Sequence, residues 1–298
     1  MADLFFIINN VDIANYADDN TPYAASDNIN DLISSLEEAS KNLFQWFDEN
    51  LMKSNPDKCH LLLSTKEKVA VKINNFRIEN SSHEKLLGIH FDNKLTFDLQ
   101  ISDMCKKASR KIYALARVTK YMNLTKRKTL MNAFFNSQFN YCPLIWMCHS
   151  RINNNKINRL HERCLRIIYK DKKSSFEELL DKDSSVSIHN RNMQILATEL
   201  YKIKMGMSRG HMNEIFKLRE QNPYNLRQNS DFLRPAVNTV FHGTESLAYL
   251  GPKIWDMVPD SFKEIDSIYK FKKVIRKWKP ENCPCRICKV YIPHVGFT

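Results

Sequence analysis

The sequence predicts an α+β protein, with a short antiparallel sheet and one amphipathic helix over residues 1–92 and a mostly helical body after it. Three observations lead there. Residues 11–15 and 20–23 flank the tetrad Tyr16-Ala17-Asp18-Asp19 at the spacing of a hairpin. From Ile101 onward apolar residues recur with a period near 3.6. Glycine is scarce, 6 in 298 residues, which disfavours a fold built from repeated tight turns.

The hairpin comes first. Two adjacent acids at its tip cannot share one face of a strand, because successive side chains alternate, so Asp18 and Asp19 point to different sides. Asp-Asp-Asn is also ordinary turn composition. Next, Ile29, Leu32, Ile33, Leu36, Ala39, Leu43, Phe44 and Phe47 mark an amphipathic helix over residues 28–50, with Asp27 or Asn28 as its cap and Asn50 as its end. It is expected to pack on one face of the hairpin sheet. The polar turn 51–58 feeds an apolar strand at 61–63, and residues 69–74 and 76–78 alternate around Asn74-Asn75 as a second hairpin. Residues 85–91 read as one further strand.

The helical body begins with a stripe of Ile101, Met104, Cys105, Ala108, Ile112, Leu115 and Val118. Lys106, Lys107, Arg110, Lys111 and Arg117 fall mostly off it. A second helix starts near Thr125 with Leu130, Met131, Phe134 and Phe135 inward. Its first turn holds Lys126, Arg127 and Lys128, where cations oppose the helix dipole and invite an outside anion. A third helix, over 155–169, turns Ile157, Leu160, Cys164, Ile167 and Ile168 inward. The polar stretch 170–187 is a boundary with a short helix near 176–180. Residues 191–207 return to helix, with Met193, Leu196, Leu200, Ile203 and Met207 on one face. Four prolines break up 219–261, and a last helix covers 268–278. The domains are therefore 1–92, 93–183, 184–280 and a Cys-rich tail, 281–298.

The formal net charge is +12, and residues 104–128 carry nine Lys and Arg with no acid. A one-sign run on a helical pattern suits the phosphate backbone of nucleic acid, and a merely solvated face is the other reading. Of eight cysteines, five lie within apolar or helical patterns, and residues 4–8 are too short an apolar run to span a bilayer. Reduced thiols, an intracellular location and no membrane partner are expected. In the tail, Cys283, Cys285, Cys288 and His294 offer three thiols and one imidazole for zinc. The Cys-x-Cys spacing is tighter than that of most structural zinc sites, and a reduced, mobile tail is the alternative.

These motifs, in this order, resemble the second half of the reverse transcriptase domain of non-LTR, LINE-type retrotransposons. Tyr16-Ala17-Asp18-Asp19 resembles the metal-binding hairpin of the palm. Trp46-Phe47 with residues 51–58 resembles the loop after it, and Leu86-Leu87-Gly88-Ile89 with Phe91-Asp92 the primer-grip strand. Downstream, Phe139-Asn140-Tyr141-Cys142-Pro143-Leu144-Ile145-Trp146 and Leu250-Gly251-Pro252-Lys253-Ile254-Trp255 also read like that family. The resemblance implies a partial palm followed by a helical thumb, with Mg2+ held by Asp18 and supported by Asp19. Tyr16 and Lys58 would contact nucleotide or phosphate, although Lys58 also reads as a solvated loop lysine. It further implies an RNA template, a DNA primer or RNA–DNA hybrid as partners, and a life in nucleus and cytoplasm. The family places a further metal-binding Asp, a Gly-Pro-containing segment and the fingers upstream of the hairpin. Only 15 residues precede Tyr16, so the chain is expected to be an N-terminally truncated fragment, inactive alone. A non-catalytic, basic nucleic-acid-binding protein is the alternative.

Overall fold

The computed structural model describes residues 7–8, 10–65, 67, 69–73, 76–208, 210–219, 230–281 and 283–288. It is a mixed α+β structure whose contacts divide it into two units, Met1–Leu95 and Thr96–Thr298. Position 184 lies inside the second unit.

In the first unit, β1 (Asp12–Tyr16) pairs antiparallel with β2 (Asp19–Tyr23). Helix α1 (Ile29–Glu49) follows, its N-terminus capped by the Asn28 side chain, which accepts from the Asn30 N–H at 2.9 Å. At the other end the Asn50 N–H donates to the Trp46 carbonyl at 3.0 Å. One side of α1 packs Ala39, Leu43 and Trp46 against Ile8, Val11 and Ile13. The other packs Leu36 and Phe44 against Leu63 and against Val71 and Ile73 of β3 (Ala70–Ile73), which pairs with β4 (Phe76–Glu79). The helix thus serves two hairpins rather than one sheet.

Two expectations are corrected here. Residues 85–91 are not a single strand: β5 (His83–Leu86) and β6 (Ile89–Asp92) form a hairpin turned at Leu87-Gly88. Leu87 has φ 47° and Gly88 φ 85°, the paired positive values that match the twist of a two-residue hairpin. Residues 61–63 contribute only an isolated bridge, Leu61 to Asn80, and among the described residues the strands form three separate two-stranded sheets.

The second unit is helical: α2 (Asp98–Val118), α3 (Leu124–Phe134), α4 (Pro143–Trp146), α5 (Arg151–Tyr169), α6 (Phe176–Asp183) and α7 (Ile188–Lys204). Then come α8 (Gly210–Ile215), α9 (Leu247–Asp256), α10 (Asp260–Lys263) and α11 (Ile268–Ile275). Helix α7 is the hub, with Leu196, Ala197, Leu200 and Tyr201 in a core shared with Trp255 of α9 and Phe271 of α11. Tyr201 stacks on Phe271 with ring centroids 4.1 Å apart. Gln194 of α7 donates to the Trp278 carbonyl at 2.7 Å and the Arg276 carbonyl at 3.1 Å, fixing the chain as it leaves α11.

Pro252, expected to break structure, sits inside α9. Beside it Gly251 lets the ring of Phe216 approach so closely that an added Cβ would lie 2.2 Å from it, so helix and ring pack as one piece. Phe134, expected inward, is 42% exposed because its neighbour Phe135 takes the core, and successive residues of a helix cannot face the same way. Val118, the last residue of α2, and Met207, three residues past the end of α7, are exposed as well.

Candidate functional site

At the tip of the first hairpin, Tyr16 pairs with Asp19, leaving Ala17 and Asp18 as a two-residue turn with Ala17 at φ 55°. Tyr16, Asp18 and Asp19 are all exposed. Neither carboxylate has a hydrogen bond or ion pair among the described residues, and no third acid, imidazole or thiol gathers with them there. Carboxylate oxygens are the ligand type that Mg2+ takes, one or two of them beside waters and substrate phosphate. Lys58 ends a short turn of 3-10 helix, Pro56–Lys58, and is exposed. Nothing among the described residues joins it to the acids.

The basic run resolves into two groups. Along α2, Lys106, Arg110, Tyr113 and Arg117 follow at spacings of three and four residues on the side opposite the buried Ile101, Met104, Ala108, Ile112 and Leu115. These four are exposed and cover about 16 Å of helix. Arg163 of α5 lies over the Tyr113 ring, 4.5 Å from its centroid, which adds a cation that the linear run does not contain. Lys120 and Tyr121, both exposed, follow α2, and the Lys170 ammonium beside them donates to the Lys120 carbonyl at 3.3 Å. The result is a cationic stripe interleaved with two tyrosines.

The other cations are differently engaged. Arg127 is buried, its guanidinium donating to the Ile168 carbonyl, so it joins α3 to α5 and is withdrawn from any surface. It shares the inner face of α3 with Met131, one helical turn on. Lys107 pairs with Asp103 at 2.8 Å. Lys128 pairs with Asp183 at 3.2 Å and lies over the Tyr169 ring. Lys126 is exposed and Lys111 half-buried.

The tail cysteines meet a partner that the sequence reading did not name. Cys283, Cys285 and Cys288 converge with His189 from the first turn of α7, and their ligand atoms all lie within 4.8 Å of one another. His189 Nε2 is 3.4 Å from Cys285 Sγ and 3.2 Å from Cys288 Sγ. His189, Cys283 and Cys285 are buried; Cys288 is exposed. Hydrogen bonds from Cys283 and Cys288, joined by His189, hold the Cys285 thiol far below its ordinary range. The group could hold a metal ion. His294 lies outside the described residues. The only sequence signal for His189 is a histidine just behind the helix cap Ser187, and no local ligand spacing connects it to cysteines so far along the chain.

No helix among the described residues is long and apolar enough to cross a membrane. No family model, curated protein or solved structure matches the chain.

Proposed function

We propose that the chain is a portion of a LINE-type reverse transcriptase that holds an RNA–DNA hybrid through the stripe on α2 and carries part of the polymerase metal site. The observation behind this reading is the hairpin tip, where exposed Asp18 and Asp19 follow Tyr16 and Ala17 and precede an amphipathic helix.

In the reaction that the resemblance implies, a primer 3′-hydroxyl loses its proton and attacks the α-phosphate of a nucleotide in line, and pyrophosphate leaves. Bound Mg2+ would favour the alkoxide form of the primer 3′-end and neutralise charge on the leaving group. In this scheme Asp18 is the direct ligand and Asp19 adds negative charge and shapes the turn. Tyr16 faces the nucleotide, Lys58 meets a phosphate, and the α2 stripe positions the duplex by neutralising backbone charge.

A second reading, a non-catalytic hybrid-binding protein, is favoured by the lack of a third carboxylate beside Asp18 and Asp19 among the described residues. One experiment separates the two. The 298-residue chain is assayed for hybrid binding and for primer extension with Mg2+, alone and fused to the upstream palm and fingers of an intact LINE-type relative. Binding is expected from both, with a log-log salt slope of about -3 to -4 for about four phosphate contacts. Extension is expected from the fusion only, and Asp18→Ala should abolish it. A fusion that binds hybrid yet never extends a primer rejects the polymerase reading in favour of the second.

A further inference from the structure

We propose that His189, Cys283, Cys285 and Cys288 form a closed, four-coordinate zinc site that staples the segment 283–288 onto the first turn of α7. The site is independent of the polymerase reading.

The geometry is that of a ligand shell. A tetrahedral zinc with Zn–S of about 2.3 Å and Zn–N of about 2.0 Å sets nitrogen and sulfur about 3.5 Å apart and pairs of sulfurs about 3.8 Å apart. The two nitrogen-to-sulfur separations, 3.4 and 3.2 Å, fall close to the first value, and all four ligand atoms fit within 4.8 Å. The donors are three soft sulfurs and one imidazole, a set that selects zinc over magnesium or calcium.

The surroundings say what kind of zinc site it is. Cys283 and Cys285 belong to the same core as Leu196 and Leu200 of α7 and Trp255 of α9, and Ile287 is buried between Cys285 and Cys288 in the chain. The Cys288 N–H donates to the Cys285 carbonyl at 3.2 Å, folding the Cys-x-x-Cys piece into a turn that brings its two thiols together. His189, Cys283 and Cys285 are buried in an apolar core, where the His189 Nε2 meets only the Cys285 and Cys288 sulfurs; such burial is costly, and a metal that all of them bind offsets that cost. Four protein ligands leave no open position for water or substrate, so the ion holds structure and performs no chemistry. The N-terminus of α7 contributes a favourable field for the thiolates.

The test is metal analysis and X-ray absorption at the zinc edge on the 298-residue chain purified with reductant and without chelator. One zinc per chain is expected, surrounded by three sulfurs and one nitrogen. His189→Ala should weaken zinc binding by more than the roughly 10- to 100-fold that even an outer partner of a ligand contributes. His189→Cys should keep the zinc and change its shell to four sulfurs, an outcome readable even if the alanine variant fails to fold. His294→Ala should change neither content nor spectrum. A chain that carries no zinc and takes up none on titration overturns the proposal. So does a three-sulfur, one-nitrogen shell that survives His189→Ala or disappears with His294→Ala, and so does a disulfide between Cys285 and Cys288 in the reduced preparation.

Discussion

His161 shows how one buried side chain ties this protein's stability to pH. It lies in the second unit, stacked on Phe135 with centroids 5.3 Å apart and set edge-on to Phe176. Its Nδ1 is buried without a partner. Burial, helped by the charge of Arg191, pushes the imidazole down to about 4 from its ordinary value of 6.5. The unfolded chain therefore takes up a proton below about pH 6.5 that the native state refuses until about pH 4. The stabilisation is present in full above the unfolded value and is lost as pH falls through this window, a change on the order of 3 kcal/mol. His161→Phe keeps the ring stack and removes the titration. Urea unfolding at pH 7 and at pH 4.5 should then differ less for the variant than for the natural chain; equal differences would mean that His161 does not carry the effect.

At the scale of elements, α2 and α3 look alike in sequence and behave differently in structure. Lys106, Arg110 and Arg117 of α2 are exposed and suited to meet phosphates, whereas Arg127 of α3 is a packing residue. Replacing Lys106, Arg110 and Arg117 together by Gln should flatten the salt slope of hybrid binding by about 3 and leave stability nearly unchanged. Arg127→Ala should do the reverse, costing about 1.5 to 3 kcal/mol of stability by leaving the Ile168 carbonyl without its charged donor, with the slope intact. A slope that moves with Arg127 and not with the α2 triple variant would place the binding surface elsewhere. Helical spacing puts Arg127 on the same face as Met131, yet within a run of cations it reads as one more phosphate-facing residue, and its burial overturns that expectation. The span of α1 was legible: an Asn cap brackets a long amphipathic repeat. The Leu87-Gly88 turn was not, because leucine occupies a position where asparagine or glycine would announce a reversal, and the apolar run reads straight through it. The helix around Pro252 was hidden because proline normally ends such elements.

At the scale of the whole molecule, local patterns located the three tail cysteines, and only the folding of the second unit delivered their fourth partner. Motif reading depends on spacing along the chain, while a ligand shell depends on proximity in space; His189 satisfies the second and not the first. Stapling α7 to a segment so distant in sequence closes a loop of 96 residues from His189 to Cys285. Such a closure removes on the order of 4 to 5 kcal/mol of freedom from the unfolded chain in the cross-link picture. Because an unfolded chain cannot present the four ligands together, releasing the ion and unfolding the unit become linked equilibria. Stability should then rise by about 1.4 kcal/mol for each tenfold increase in free zinc above the dissociation constant. Thermal unfolding in a series of zinc buffers measures this directly, and a melting temperature that ignores the buffer would rule the linkage out. With zinc bound as proposed, the convergence of a helix-borne imidazole with three late thiols makes the stability of the helical unit a function of the metal supply around it, so that the same chain would be durable in a zinc-replete environment and fragile in a starved one.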